Sequence, residues 1–244
     1  MNIKYYYLKF KLRFCKTFKS KDFSYLLRKH GIKVGEHCAF FDPRSLTIDV
    51  TRPHLLSIGN YVVVTSGVTI LAHDYSRVVF CNHQFYSNVG EARETIIGDN
   101  VFIGMNSIVL MGARIGNNSI VGAGSVVSGS FPDNSVIAGN PAKLICTLEQ
   151  IYEKRKAEEI NAAKLYAKKF YEVFHKKPTI TDMTNAFSWL YLDRTDDTLK
   201  NYQQLFVLNG VNREQYIEKF LKSKPYYESF EVFLDQVFKN SKDE

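Results

Sequence analysis

The chain has 244 residues, 45% of them hydrophobic and 23% charged, a balance that excludes a disordered or collagen-like polymer. No run of about 18 apolar residues is present, so no membrane-spanning helix is expected. The formal charge of +7 is unevenly placed: residues 1–33 hold ten Lys and Arg against the single acid Asp22, net +9, and the remaining 211 residues carry −2.

The N-terminal stretch lacks a continuous apolar core, so a secretory leader is not expected. Residues 1–33 read instead as a basic helical segment with Tyr5, Tyr6, Tyr7, Phe10, Phe14 and Phe18 set among the lysines. Such a helix packs its aromatics on the body, lies on an anionic membrane surface, or touches nucleic acid. Packing on the body with lysines outward is the expected use. Peripheral membrane contact is the alternative, and no nucleic-acid partner is expected. Cys15, Cys38, Cys81 and Cys146 show no CxxC pair and no zinc spacing, and read as reduced thiols of a cytoplasmic protein.

From Ile97 an aliphatic residue returns at every sixth position: Ile97, Ile103, Val109, Ile115, Val121 and Val127. Gly98, Gly104, Gly116 and Gly122 follow four of them. Ile58, Val64 and Ile70 keep the same period, and Val34-Gly35 with Phe40 make a weaker start. A helix has period 3.6 and an ordinary strand period 2, so neither explains the pattern. A parallel β-helix does. Each hexad is one short strand and one corner, the aliphatic residue points into a triangular prism, and three hexads close a coil of about 18 residues. Small residues suit corners where backbones approach closely, and Asn60, Asn100, Asn117 and Asn118 suit left-handed turn positions.

The stretches GVTILAHDYS (67–76), IIGDNVFIGMNSIVLMGARIGNNSIVGAGSVV (96–127) and VIAGNPAKLI (136–145) carry a resemblance to the hexapeptide-repeat acyltransferases, in the branch of the maltose, galactoside and xenobiotic O-acetyltransferases. The resemblance covers residues 34–146. It implies a mainly β fold, a left-handed parallel β-helix, assembled as a homotrimer with acetyl-CoA bound between neighbouring subunits and with no metal required.

Ile70 and Ile97 are 27 residues apart, which is not a multiple of six, so a loop excursion is expected over 76–94. Long excursions from a regular scaffold tend to carry function. His73 stands at its start, and a neutral imidazole is a suitable general base for a hydroxyl. The resemblance also places the family's catalytic histidine at His73, and implies direct transfer without an acyl-enzyme. Asp74 either orients that imidazole or, the preferred reading, anchors the loop. Arg77, His83, Tyr86, Glu91 and Arg93 are candidate contacts to a carbohydrate acceptor.

For acetyl-CoA the resemblance implies Gly104, Ala123 and Gly124 along the pantetheine path, the Ser128 hydroxyl, and Lys143 of NPAK at the nucleotide phosphates. Phe102, Gly129 and Cys146 depart from the family pattern, where Trp, Lys and a second basic residue are frequent.

After Pro141 the hexad ends. Residues 147–244 read as an α-helical C-terminal region: a long helix from Thr147 to Lys177, opened by a Thr147–Gln150 capping box, then helical segments near 182–208, 212–222 and 225–239. Its many aromatics are expected in a core rather than on a carbohydrate. The expected activity is acetyl-CoA-dependent O-acetylation of a carbohydrate hydroxyl, of a surface polysaccharide or its precursor. N-acetylation of an amino sugar is the alternative. A non-catalytic β-helix scaffold or a metal-dependent β-helix enzyme is the alternative of another class. A nucleotidyltransferase would need a further nucleotide-binding domain ahead of the repeats.

Overall fold

A computed structural model of the chain describes residues 3–14 and 18–239, with the side chains at 13 and 14 left out. Cys15 and the Phe14 side chain named above therefore lie outside the described residues. By their contacts the residues fall into two units, Met1–Ile151 and Tyr152–Glu244.

The first unit opens with α1 (Ile3–Phe14) and α2 (Ser20–Lys29). Phe23, Leu26 and Leu27 of α2 are buried, and Phe23 packs edge-on against Phe40 at 5.1 Å. Among the described side chains of α1 only Leu8 is fully buried, whereas Tyr6, Tyr7 and Phe10 face outward at 57%, 61% and 61% exposure. Lys4 and Lys9 are outward as expected, but these three aromatics are not packed inward, which corrects that half of the expectation. The reason lies in the helix period: Leu8 and Leu12 share one face, and Ile3, Tyr6, Tyr7 and Phe10 share the opposite one.

Fourteen short parallel strands and one antiparallel strand then follow. They are β1 (Lys33–Val34), β2 (Ala39–Phe40), β3 (Thr47–Ile48), β4 (Leu56–Ile58), β5 (Val63–Val64), β6 (Thr69–Ile70), β7 (Thr95–Ile97), β8 (Phe102–Ile103), β9 (Ile108–Val109), β10 (Arg114–Ile115), β11 (Ile120–Val121), β12 (Val126–Val127), β13 (Ser130–Phe131), β14 (Ser135–Gly139) and β15 (Ala142–Thr147). They stack as three sheets, β1-β4-β7-β10-β13, β2-β5-β8-β11-β14-β15 and β3-β6-β9-β12. The chain visits the three in rotation, one strand of each per coil, and so forms a left-handed parallel β-helix. Register follows the hexad: Val64 pairs with Ile103 and Ile103 with Val121, while Ile70 pairs with Val109 and Val109 with Val127.

Every hexad aliphatic is buried. Val64, Ile70, Ile103, Val109, Val121 and Val127 are each fully sequestered in one continuous core. The glycines after them keep ordinary torsions, and what they supply is space: a Cβ on Gly104 would lie 2.5 Å from the Ala123 backbone nitrogen in the next coil. Left-handed torsions fall instead on Asn100, Asn106, Asn118 and Asn134. Asn60 and Asn117 serve the corners differently. Their side chains form a ladder in which Asp99 Oδ1 accepts from Asn60 N–H at 2.7 Å, Asn117 Oδ1 from Asp99 N–H at 2.8 Å, and Asp133 Oδ1 from Asn117 N–H at 2.8 Å. This satisfies corner amides that no strand partner reaches.

β15 turns back against β14 and closes the prism, with a cis peptide between Asn140 and Pro141. Thr147 then opens α4 (Leu148–Phe174) through a reciprocal cap, Thr147 N–H to Gln150 Oε1 at 2.9 Å and Gln150 N–H to Thr147 Oγ1 at 3.2 Å.

In the second unit α5 (Asp196–Asn201), α6 (Arg213–Lys222) and α7 (Phe230–Phe238) each start on a side-chain cap, from Thr195, Asn212 and Ser229. The expected helical stretch near 182–208 is broken into the short α5 and two 3-10 pieces, Ser188–Leu190 and Gln203–Phe206, joined by turns. Residues 187–192 are apolar apart from Ser188 and show no 3.6-residue stripe, and Arg194 donates to the carbonyls of Trp189 and Leu192, which holds that backbone out of a regular α-helix. Phe206, Phe220 and Phe233 are completely buried and form the core of this unit, and the Trp189 indole N–H donates to the Tyr216 hydroxyl at 2.9 Å. Among the described residues no helix is long and apolar enough to cross a membrane. Cys38, Cys81 and Cys146 are free thiols.

Candidate active site

The corner that follows the sheet β3-β6-β9-β12 recurs once per coil, as Asp49, then Leu71–His73, then Leu110–Gly112, then Ser128-Gly129. Main-chain bonds stack these segments: Asp49 N–H to Ile70 O at 2.9 Å, Leu71 N–H to Val109 O at 2.9 Å, and Leu110 N–H to Val127 O at 2.9 Å. The stacking sets an acid directly beside the predicted base.

Asp49 is buried, with 3% of its side chain exposed, and His73 is partly open, with 33% exposed. Asp49 Oδ2 accepts from His73 Nδ1 and from the Ala72 N–H at 3.0 Å. Its Oδ1 accepts from the Thr51 N–H at 2.8 Å and from the Thr51 hydroxyl at 2.6 Å. That hydroxyl is also 3.0 Å from His73 Nδ1. Burial alone would push the Asp49 carboxyl upward, but the bonds from the Thr51 hydroxyl, His73 and the Thr51 and Ala72 amides outweigh it and hold it at about 2. An ionised carboxylate only accepts. The proton of a neutral His73 therefore sits on Nδ1, and Nε2 carries a lone pair.

Asp49 and Thr51 were not among the sequence candidates. The first coil is irregular, with 24 residues from Val34 to Ile58, and this hides the phase that aligns Ile48 with Ile70. The available signal was an acid directly after an inward aliphatic, at the corner position held elsewhere by Leu71, Leu110 and Ser128. Asp74, considered as the orienting acid, instead accepts from the Ser76 N–H at 2.5 Å. It is an exposed loop anchor, and that bond holds its carboxyl below the ordinary range. Successive side chains on extended backbone point to opposite sides, which keeps Asp74 away from the His73 ring.

The excursion is exposed from Val78 to Glu94 and contains one short helix, α3 (Val78–Asn82). Asp74, Arg77 and Glu91 line one cavity of about 240 Å³ together with Arg52 and Phe80. Arg52, which the sequence reading missed, donates to the Glu91 carbonyl at 2.7 Å and ties the first coil to the loop. Arg77 donates to Asn88 Oδ1 at 2.8 Å, and Arg93 pairs with Glu91 at 2.9 Å. His83 and Tyr86 do not line this cavity. They stack on each other at 4.1 Å on the outer loop.

The predicted donor residues occupy two corners. Ser128 shares the His73 corner, two coils along. At about 4.8 Å per strand that is about 10 Å. Ala123 and Gly124 lie at the preceding corner, across the strand β12, and are exposed; Gly124 has a φ of +68° and open space where a Cβ would stand. Gly104 belongs to the same corner but is buried, and the next coil accounts for its missing side chain. Lys143 is exposed on β15 opposite Ala138 and pairs with no carboxylate among the described residues. No group of three His, Cys, Asp or Glu among the described residues is placed to hold a metal ion.

Residues 94–129 match the family described as bacterial transferase hexapeptide, six repeats. Protein CapG of Staphylococcus aureus is 42% identical over 138 residues, covering 57% of this chain and 78% of CapG. WbbJ of Escherichia coli, which carries the name lipopolysaccharide biosynthesis O-acetyl transferase, is 38% identical over 96 residues, 37% of this chain and 49% of WbbJ. The crystal structure of a maltose O-acetyltransferase from Clostridium difficile is similar at a TM-score of 0.40 and 27% identity, covering 59% of this chain and 86% of that one. The chain belongs to the hexapeptide-repeat family and is an acyltransferase.

Proposed function

We propose that this acyltransferase moves the acetyl group of acetyl-CoA to a hydroxyl of a carbohydrate, of a surface polysaccharide or its precursor, with His73 as general base. The observation that carries the reading is the Asp49–His73 pair, in which a buried carboxylate accepts from Nδ1 and leaves Nε2 of the partly exposed ring unpaired by it. Nε2 takes the hydroxyl proton as the oxygen attacks the thioester carbonyl carbon. The tetrahedral intermediate then breaks its C–S bond, and the departing thiolate takes the proton from His73. An O-acetyl ester and CoA thiol result, and no acyl-enzyme forms. Backbone amides at the His73 corner are suited to hold the oxyanion.

The residues of the donor path fit a CoA thioester. Gly124 and Ala123 leave a corner open for a chain to lie against, Ser128 offers a hydroxyl, and Lys143 offers an unpaired cation for phosphate. In one chain a whole sheet separates Gly124 from the His73 corner. A homotrimer, in which one copy supplies His73 and its neighbour the Gly124 corner, brings them to one groove. The carbohydrate acceptor is favoured by the names of WbbJ and of the maltose O-acetyltransferase and by the cavity of Arg52, Asp74, Arg77 and Glu91, whose donors and acceptors suit hydroxyls. Free thiols and a thioester donor both suit the cytoplasm. The exposed aromatic face of α1 among lysines suits contact with the inner face of an anionic membrane.

The reading is tested by calorimetric titration with acetyl-CoA in metal-free buffer, followed by transfer of labelled acetyl to a panel of sugars and oligosaccharides. Saturable binding near one per chain and label in an alkali-labile ester are expected. Alkali-stable label would indicate an amide and the amino-sugar alternative. No binding at millimolar acetyl-CoA would defeat the donor assignment.

A further inference from the structure

A second cavity lies on the other side of the segment that carries Asp49. It encloses about 490 Å³, within the size range of small-molecule sites, and is lined by Leu12 of α1, Leu26 and Leu27 of α2, and Leu46, Ile48 and Val50 of the first coil. Lys9, His30 and Arg44 are the polar members of its lining. Ile48 and Val50 face this cavity, and Asp49 between them faces His73. The two sites are therefore opposite faces of one extended wall. The cavity is continuous in sequence with the outward stripe of α1, where Ile3, Tyr6, Tyr7 and Phe10 recur at i, i+3, i+4 and i+7 with 78%, 57%, 61% and 61% exposure. Lys4 and Lys11 flank that stripe.

We propose that this cavity binds the hydrocarbon chain of a single-chain lipid phosphate, and that the lipid is the anchor of the acceptor glycan; the latter clause rests on the reaction proposed above. Charge decides the headgroup. The lining holds the cations Lys9 and Arg44 and no acid, within a segment of net +9 on a body of net −2. Burial, and then the positive charge of Lys9, lower the pKa of His30 and so disfavour its charged form, and its Nε2 lies 3.2 Å from the Tyr5 hydroxyl. An anion there is held by the ammonium and the guanidinium, while the apolar walls remove the hydrocarbon chain from water. The helix stripe would rest on the membrane from which such a lipid is drawn.

The test is isothermal titration of the full chain, without acetyl-CoA, by dodecyl phosphate below its micellar concentration. Dodecyl maltoside and inorganic phosphate serve as the neutral-head and chain-free probes. Saturable binding of one dodecyl phosphate per chain is expected, at least tenfold tighter than either control. Leu46→Trp and Val50→Trp should each weaken it at least tenfold by filling the cavity, and so should the pair Lys9→Glu and Arg44→Glu. His73→Ala should bind it as the native chain does. Val50 is half exposed, which guards against misfolding as the cause, and thermal melts of each variant check it. No saturable binding, equal binding of dodecyl maltoside, or binding unchanged in both Trp variants would overturn the proposal. So would a change of mass in solution for the Trp variants without lipid binding, which would make a second copy of the chain the occupant. Lipid binding by a chain that transfers no acetyl group would defeat the proposed reaction, and the clause on the acceptor, while leaving the cavity assignment standing. Transfer without lipid binding would do the reverse.

Discussion

Replacing Asp49 by Asn keeps the shape of the side chain but removes the charge that His73 Nδ1 faces. Asp49 accepts four hydrogen bonds, two from Thr51, one from Ala72 and one from His73. A carboxamide has one oxygen. If that oxygen keeps the two Thr51 donors, its NH2 meets the Ala72 N–H and His73 Nδ1. The Ala72 amide is then an unsatisfied buried donor, at a cost of about 1–3 kcal/mol. His73 responds by moving its proton to Nε2, so that Nδ1 accepts. That tautomer has no lone pair directed at the acceptor hydroxyl. The loss should approach that of the general base itself, about 100- to 10,000-fold in kcat. The assay is release of CoA thiol at saturating acetyl-CoA and acceptor near pH 7.5, with the acetyl-CoA dissociation constant and a thermal melt measured alongside. The expected result is a fall of at least 100-fold in kcat, with donor affinity within threefold of native and a melt lowered but still cooperative. A variant whose kcat stays within threefold of native would refute the pairing as the source of basicity. Equal losses in donor affinity and kcat would make Asp49 a donor-site residue instead.

The same carboxyl gives a pH signature. At 1.36 kcal/mol per pH unit of displacement, a group held at about 2 rather than 3.8 adds about 2 kcal/mol of stability. Because the folded value is depressed, that contribution is full above pH 4 and is lost as pH falls from about 4 to 2. The native chain's advantage over Asp49→Asn in urea unfolding should therefore narrow as pH falls across that window. Arg52→Ala should release the Glu91 carbonyl and raise the acceptor KM severalfold, with kcat changed less than threefold; steady-state kinetics that show only a kcat effect would contradict it. Gly104→Ala should destabilise the prism by about 1–3 kcal/mol, since the added Cβ meets backbone at 2.5 Å, and an unchanged melt would show that the coils can part there. Thr147→Ala removes one bond of the reciprocal cap and should cost about 1 kcal/mol, read as a lowered melting temperature with acetyl transfer retained.

The prism was legible in the sequence because its core position repeats without error from Ile97 to Val127, and each of those residues is buried. A six-residue period has no other common structural cause. His73 was legible for other reasons: it stands three residues after Ile70, the last residue in phase, where the excursion starts, and the resemblance places a catalytic histidine there. Its partner was not. Asp49 sits in a coil lengthened by six residues, so its alignment with Leu71–His73 emerges only when Ile48 is paired with Ile70. The adjacent Asp74 was the nearer acid along the chain but points elsewhere. The corners illustrate a subtler gap: Gly104 provides the expected clearance, but of the four asparagines expected in left-handed turns only Asn100 and Asn118 adopt them, while Gly112 and Gly124 do so as well. In the C-terminal unit the caps and breakers located α6 and α7, but residues 187–192 satisfy tertiary contacts rather than helix period, and local propensity does not reveal that.

The most direct test of the central claim is acetyl transfer by His73→Ala beside its affinity for acetyl-CoA. The account predicts a fall of at least 100-fold in turnover with an acetyl-CoA dissociation constant within threefold of native. Turnover within threefold of native would remove His73 from the reaction and leave the Asp49–His73 pair a structural contact of the corner.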